Sequence, residues 1–217
     1  MKSFFFAFLT AASLLVLGPV RAQQRVFSEA PTMEQRLVED LGTAELPSNT
    51  PEPGSARNIT ALLQLGTGNT ARFDQRGLSA LGNQAYVVQA GAANVLGLAQ
   101  TGGENKAYVV QRGVDNRTTF TQDGQNNSST ITQQGTSNRL TGVVDGDRNE
   151  VNVYQEGVNN RINGEIRQDG RIYNIRQYGI GNTLTQLEST VQINRGYNVE
   201  MRGNGINLTI QQGKVLP

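Results

Sequence analysis

A period of eleven residues runs through the chain from Asn58 onward and constrains its fold more than any other feature. The unit is Gln-x-Gly-x-x-Asn followed by five residues. Its Gln place is held by Gln64, Gln75, Gln89, Gln100, Gln111, Gln122, Gln133, Gln155 and Gln177. Its Gly place is held by Gly66, Gly77, Gly91, Gly102, Gly113, Gly124, Gly135, Gly146, Gly157 and Gly179. Its Asn place is held by Asn69, Asn83, Asn94, Asn105, Asn116, Asn127, Asn138, Asn149, Asn160 and Asn182. Three extra residues separate Gly77 from Asn83, as a loop would. Val144 stands in one Gln place, Gln168 and Gly170 arrive two residues late, and the pattern decays after about residue 187.

Within one unit the Asn, the residues two and four places on, and the next Gln alternate. Side chains that alternate along a strand share one face. The middle pair is mostly small or apolar, as in Ala85 and Val87, Leu96 and Leu98, or Val151 and Val153. The places between carry Arg72, Asp74, Lys106, Arg117, Arg139, Glu150, Asn152 and Arg161, which suit water. The Gly-x-x stretch is a turn, because glycine tolerates positive φ. Each period therefore predicts one short strand and one tight turn.

Two successive strands can fold face to face as an arch. Arches 22 residues apart would then stack about 4.8 Å apart. An inward amide can donate to an identical amide in one neighbouring layer and accept from the other, so its buried polarity is met. Without such a partner, a buried amide costs about 1–3 kcal/mol. The expectation is an all-β fold. It is a β-solenoid of cross-β type with about 6–7 layers, some 30–35 Å tall at that spacing, with inward Gln and Asn ladders.

Composition narrows the function. Asn and Gln number 21 and 20 of 217 residues beside 25 Gly, which argues against a large helical core. The chain has no Cys and no His, so disulfides, thiolate metal sites and the most common general base are excluded. A formal net charge of +1 provides no field for nucleic acid. Neither a cofactor nor a small-molecule substrate is expected.

Residues 1–22 read as a signal peptide. Lys2 opens it, Phe4 to Leu17 forms an apolar stretch, and Val20-Arg21-Ala22 suits cleavage after Ala22. The apolar stretch is short for a membrane-spanning helix. Residues 23–57 form an acidic leader or linker, with Arg25, Arg36 and Arg57 against Glu29, Glu34, Glu39, Asp40, Glu45 and Glu52. Thr32-Met33-Glu34-Gln35 fits a capping box, and Met33, Leu37, Val38 and Leu41 allow one short helix. Pro47, Pro51 and Pro53 follow it. The third segment, 58–217, is the repeat domain.

Asn105-Lys-Ala107-Tyr-Val-Val-Gln111-Arg-Gly113-Val-Asp-Asn116 resembles the curlin repeat, and so does the stretch from Asn83 to Asn94. The resemblance covers about 58–186 well and extends weakly to 213. Curlin proteins are secreted bacterial subunits of curli, the functional amyloid fibres of biofilm matrix. It therefore implies a cell-surface fibre subunit that partners itself or another curlin. It also implies export through the periplasm and the outer-membrane curli channel with its accessory proteins. By the same resemblance 23–57 is the export leader, although it is acidic where family leaders are Gly- and Asn-rich. The family has a major, fibre-forming subunit and a minor, nucleating one with more irregular repeats. Both types remain open at this point.

A second reading is a secreted monomeric solenoid, an adhesin or carbohydrate-binding module capped by the irregular C-terminal part. Arg161, Arg167, Arg171 and Arg176 would form its basic cluster. An enzyme would need a carboxylate pair such as those among Asp145, Asp147 and Glu150, but Asp145-Gly146-Asp147 occupies an ordinary turn slot. No catalytic or metal-binding residues are expected.

Overall fold

A computed structural model describes residues 58–77, 81–188 and 195–212. The signal segment and the leader with its short helix, expected over 1–57, lie outside the described residues. Fourteen strands follow one another. Those of odd number are β1 (Ile59–Thr67), β3 (Gln84–Ala92), β5 (Lys106–Val114), β7 (Ser128–Thr136), β9 (Glu150–Val158), β11 (Ile172–Ile180) and β13 (Gly196–Asn204). Those of even number are β2 (Thr70–Gly77), β4 (Val95–Gly103), β6 (Arg117–Gln125), β8 (Arg139–Asp145), β10 (Arg161–Ile166), β12 (Thr183–Glu188) and β14 (Asn207–Gln212).

Odd strands form one seven-stranded sheet and even strands another, each in chain order along the stack. All neighbours pair in parallel, and the register places repeat on repeat, as in Gln111↔Gln133 and Gln100↔Gln122. The described residues form a β-solenoid of seven layers, each one odd and one even strand, with the core between the two sheets. Layer 1 is β1 with β2, and layer 7 is β13 with β14.

The alternation of the sequence becomes alternation of burial. In β6, Thr118, Phe120 and Gln122 are buried, whereas Arg117, Thr119 and Asp123 are exposed. The apolar core runs through Val87, Val109, Ile131, Val153 and Ile175 of the odd sheet, and Leu96, Leu140, Ile162 and Leu184 of the even sheet. β-Branched residues dominate the odd column, as suits a pleated and buried surface.

Most of the described turns hold two residues of positive φ. The first is the repeat glycine. At Gly113 φ is 113°, and an added Cβ would lie 2.0 Å from the carbonyl oxygen of Gly135 in the next layer. Glycine is needed there both for its conformation and for the close approach of the stacked backbone. The second lies immediately before the Asn and is usually not glycine: Ala93, Glu104, Asp115, Asn126, Ser137, Arg148 and Asn159 have φ between 55° and 61°. The period did not reveal that second position, because its residue type varies.

These two positions respond oppositely to substitution. Gly113→Ala will destabilise the fold by more than about 1 kcal/mol, since alanine suits neither the positive φ nor the space. Asp115→Gly will stabilise it by about 1 kcal/mol, relieving a left-handed residue with a side chain. Denaturant unfolding of the monomer measures both.

Candidate functional site

Four columns of slots run the height of the stack, and primary amides fill most of them. In the odd sheet Gln64, Gln89, Gln111, Gln133, Gln155 and Gln177 form one unbroken file. Each Nε2 donates to the Oε1 of the next glutamine at 2.6–2.9 Å. The file ends at Met201, whose sulfur receives the Nε2 of Gln177 at 3.4 Å. The interior members are 0% exposed, whereas Gln64, in the first layer, is exposed.

The even-sheet glutamine file is short. Gln75 donates to Gln100 at 2.7 Å and Gln100 to Gln122 at 2.8 Å. Beyond Gln122 the register brings Val144 and then Ile166. Ile166, the last residue of β10, holds the slot that the displaced Gln168 leaves. Gln122 Nε2 instead donates to Ser129 Oγ at 2.9 Å and to the Lys106 carbonyl at 3.1 Å.

Asparagines stack with the opposite polarity. In one file Asn69, Asn94, Asn116, Asn138, Asn160 and Asn182 follow each other. The backbone NH of each later member donates to the Oδ1 of the one before at 3.0–3.1 Å. Asn116 shows the rest of the pattern. Its Nδ2 is shared among Asn94 Oδ1, the Arg112 carbonyl four residues back, and the Gly135 carbonyl one layer on, at 2.9–3.1 Å. Asparagine thus closes its own turn and binds both neighbouring layers. The other file holds Asn83, Asn105, Asn127 and Asn149, and begins at Asn58, which the sequence reading omitted.

That second file stops at Arg171, whose backbone NH donates to Asn149 Oδ1 at 2.9 Å. Asn149 Nδ2 is buried without a partner. Its counterparts donate to the carbonyl nineteen residues on, as Asn127 does to Gly146 at 2.7 Å. For Asn149 that residue is Gln168, in the irregular turn after β10.

Facing slots adjust to one another across the core. Three hydrogen bonds join the second residue of an odd strand's inner face to the even-sheet glutamine slot. They are Thr60 to Gln75 at 2.8 Å, Gln122 to Ser129, and Tyr173 to Glu188 at 3.2 Å. In layers 2 and 3, where that slot is glutamine, the odd residue of the same layer is Ala85 or Ala107, and Ser129 meets Gln122 from layer 4. In layers 5 and 6, where it becomes Ile166 and Glu188, Val151 and Tyr173 fill the space. Gly142 and Gly164 thin another even column. The Phe120 ring leans into the room left by Gly142, and a cavity of ≈ 20 Å³ opens beside them.

The sixth layer buries an ion pair. Arg171 Nε lies 3.3 Å from Glu188 Oε1, with side chains 5% and 1% exposed. Tyr173 donates to the same carboxylate, and Tyr197 packs edge-on to Tyr173 at 4.7 Å. Burial pushes both tyrosine hydroxyls well above their ordinary range. Desolvation also pushes the Glu188 carboxyl up, against the opposing pull of Arg171, Tyr173 and the Arg167 backbone.

The expected basic cluster does not assemble. Arg171 is buried with Glu188, Arg167 pairs with Glu165 at 2.5 Å, Arg176 lies on the odd sheet and Arg161 on the even one. A different basic column appears. Arg117, Arg139 and Arg161 stack in register on the even sheet's outer face, all exposed. Their period of 22 hid them, since every second unit breaks the pattern. Asp147 and Asp169 serve turns: Asp147 Oδ1 accepts the Gln125 NH and Asp169 Oδ1 accepts the Asp147 NH, both at 2.8 Å. On the outer odd face Asn152, Asn174 and Asn198 form a further short amide file at 3.0 and 2.7 Å.

Residues 102–135 match the protein family described as curlin-associated repeat, and this match supports a curlin-family protein. Among curated proteins none matches the chain.

Restoring the repeat's own residues tests the ion pair. Glu188→Gln alone should cost about 3 kcal/mol or more by removing the carboxylate that faces the buried Arg171 guanidinium. Arg171→Asn should cost less, because the abandoned carboxyl can take a proton. The double variant should match or exceed the wild type. The folded chain holds the Glu188 proton more tightly than the unfolded chain. Stability therefore falls as pH rises from the ordinary carboxylate range through the raised value, then levels off. The double variant should lose that slope in urea titrations across pH.

Proposed function

From a β-solenoid that carries curlin-associated repeats, we propose a structural subunit of extracellular curli-type amyloid fibres. The observation that carries this reading is the in-register parallel stack, with β1, β2, β13 and β14 at the ends of their sheets. A strand at the end of a sheet presents a row of unmet NH and carbonyl groups. Described strands contain no proline to blunt it. A head-to-tail contact that does not close extends into a filament. Secretion under the signal peptide of 1–22, release through a curli channel, and adhesion within a biofilm matrix complete the proposal.

Of the family's two subunit types, the minor, nucleating one fits better. The support is the interrupted even glutamine file and the ion pair that replaces amides in layer 6.

Residues 23–217 should assemble into thioflavin-positive fibres with a reflection near 4.7–4.8 Å. A small quantity should shorten the lag of a major curlin. Gln111→Leu with Gln122→Leu should lengthen the lag at least several-fold, since each loss leaves buried amides unmet. Arg112→Ser with Asp123→Ser, on the outer face, should change it little. A chain that stays monomeric with β-rich circular dichroism contradicts the proposal and favours a surface-binding solenoid.

A further inference from the structure

The amides are not spread evenly along the stack. Layer 1 holds all four slot residues, Asn58, Gln64, Asn69 and Gln75, and layers 2 and 3 are equally complete. Layers 4 and 5 each lose one amide, at Val144 and Ile166. Layer 6 loses two, at Arg171 and Glu188. Layer 7 keeps only Gln212, because Arg195, Met201 and Ile206 occupy the other slots.

The polarity of the files makes the two ends chemically different. Each glutamine donates toward higher layers, and each asparagine Oδ1 accepts from them. A chain docking below layer 1 must therefore bring an Nε2 to Gln64 Oε1. It must also bring Oδ1 acceptors to the backbone NH groups of Asn58 and Asn69. No donor among the described residues reaches Gln64 Oε1, and Gln64 is exposed. A second copy of this chain would offer Met201, Arg195 and Ile206 at those three places. None of these side chains supplies the amide required.

We infer that the stack is one-ended. Its β1/β2 face is a template that accepts best the last layer of a different amide-laddered solenoid, one ending in Asn and Gln, and its β13/β14 face adds further copies of this chain only slowly. This rests on the fibre-subunit reading and specifies its partner and direction. The apolar slots do not oppose such docking. Leu62, Ala71 and Phe73 lie half-buried at the β1/β2 end, ready to meet an apolar layer. Selectivity lies in the amides, because an unmet buried polar group costs more than a mismatched apolar contact.

Arg195→Asn, Met201→Gln and Ile206→Asn together rebuild the missing slots and turn this chain into the probe. The repaired chain, residues 23–217, should elongate about tenfold faster than the wild type or more. Adding Gln64→Leu and Asn69→Leu to it should return the rate to the wild-type level. Wild-type chain, mixed in small proportion with growing repaired fibres, should slow them, because it docks by its β1/β2 face and presents the slowly extending end. Equal elongation by both chains, with no slowing on mixing, would overturn the inference and leave the fibre reading intact. If both chains stay monomeric, both readings fall. Hydrogen exchange covers a third occupant. Fast exchange along the outer edge of β1 in the monomer is expected, and slow exchange there would place this chain's own leader on the face and overturn the inference.

Discussion

A primary amide inside a protein must find partners for two hydrogens and an oxygen, or it destabilises the fold that buries it. Everything regular in this chain follows from solving that requirement by repetition. An identical amide one layer away supplies the donor and the acceptor at once, provided the layers are parallel and in register. Gln111, between Gln89 and Gln133, shows the solution, with 2.7 and 2.9 Å bonds on its two sides. A one-residue slip would turn these amides outward and bring charged residues in. Register is thus specified by polar residues as well as by the apolar core.

The irregular places obey the same requirement. Once the even glutamine file is broken at Val144, Gln122 depends on Ser129, a hydroxyl at a place where layers 2 and 3 carry alanine. When a carboxylate enters the slot at Glu188, a cation and a phenol come with it. Where compensation is incomplete, orphan groups remain. Asn149 Nδ2, Gln186 Nε2 and the Tyr197 hydroxyl are buried without hydrogen-bond partners, and two of these three lie in the last two layers. Buried polar groups are normally satisfied, so these mark the weaker half of the stack.

Much of this architecture was readable from the period. Eleven residues cannot serve a helical repeat and a two-residue strand alternation equally, and the Gln-to-Asn spacing set both the turn and the inward face. Other features escaped for physical reasons. Asn58 opens the repeat region but precedes the first full unit, so the Gln-to-Asn spacing does not assign it to the Asn file. Gln168 resembled a late repeat, although Ile166 fills the slot, since strand geometry counts positions and not residue names. Arg171 seemed part of a surface cluster. Its partner Glu188 is seventeen residues away, and only the folding of an odd strand against an even one brings them together. The arginine column at 117, 139 and 161 has the period of the layer, twice that of the unit.

The central claim is that identical inward amides bond from layer to layer, and exchange of their side-chain hydrogens tests it most directly. Nuclear magnetic resonance of the monomer can follow the carboxamide protons of Gln111, Gln133 and Gln155 beside those of the exposed Gln134. The laddered account predicts protection of the first three by orders of magnitude, approaching that of core backbone amides, with Gln134 exchanging at the solvent rate. Equal, fast exchange at all four would contradict it.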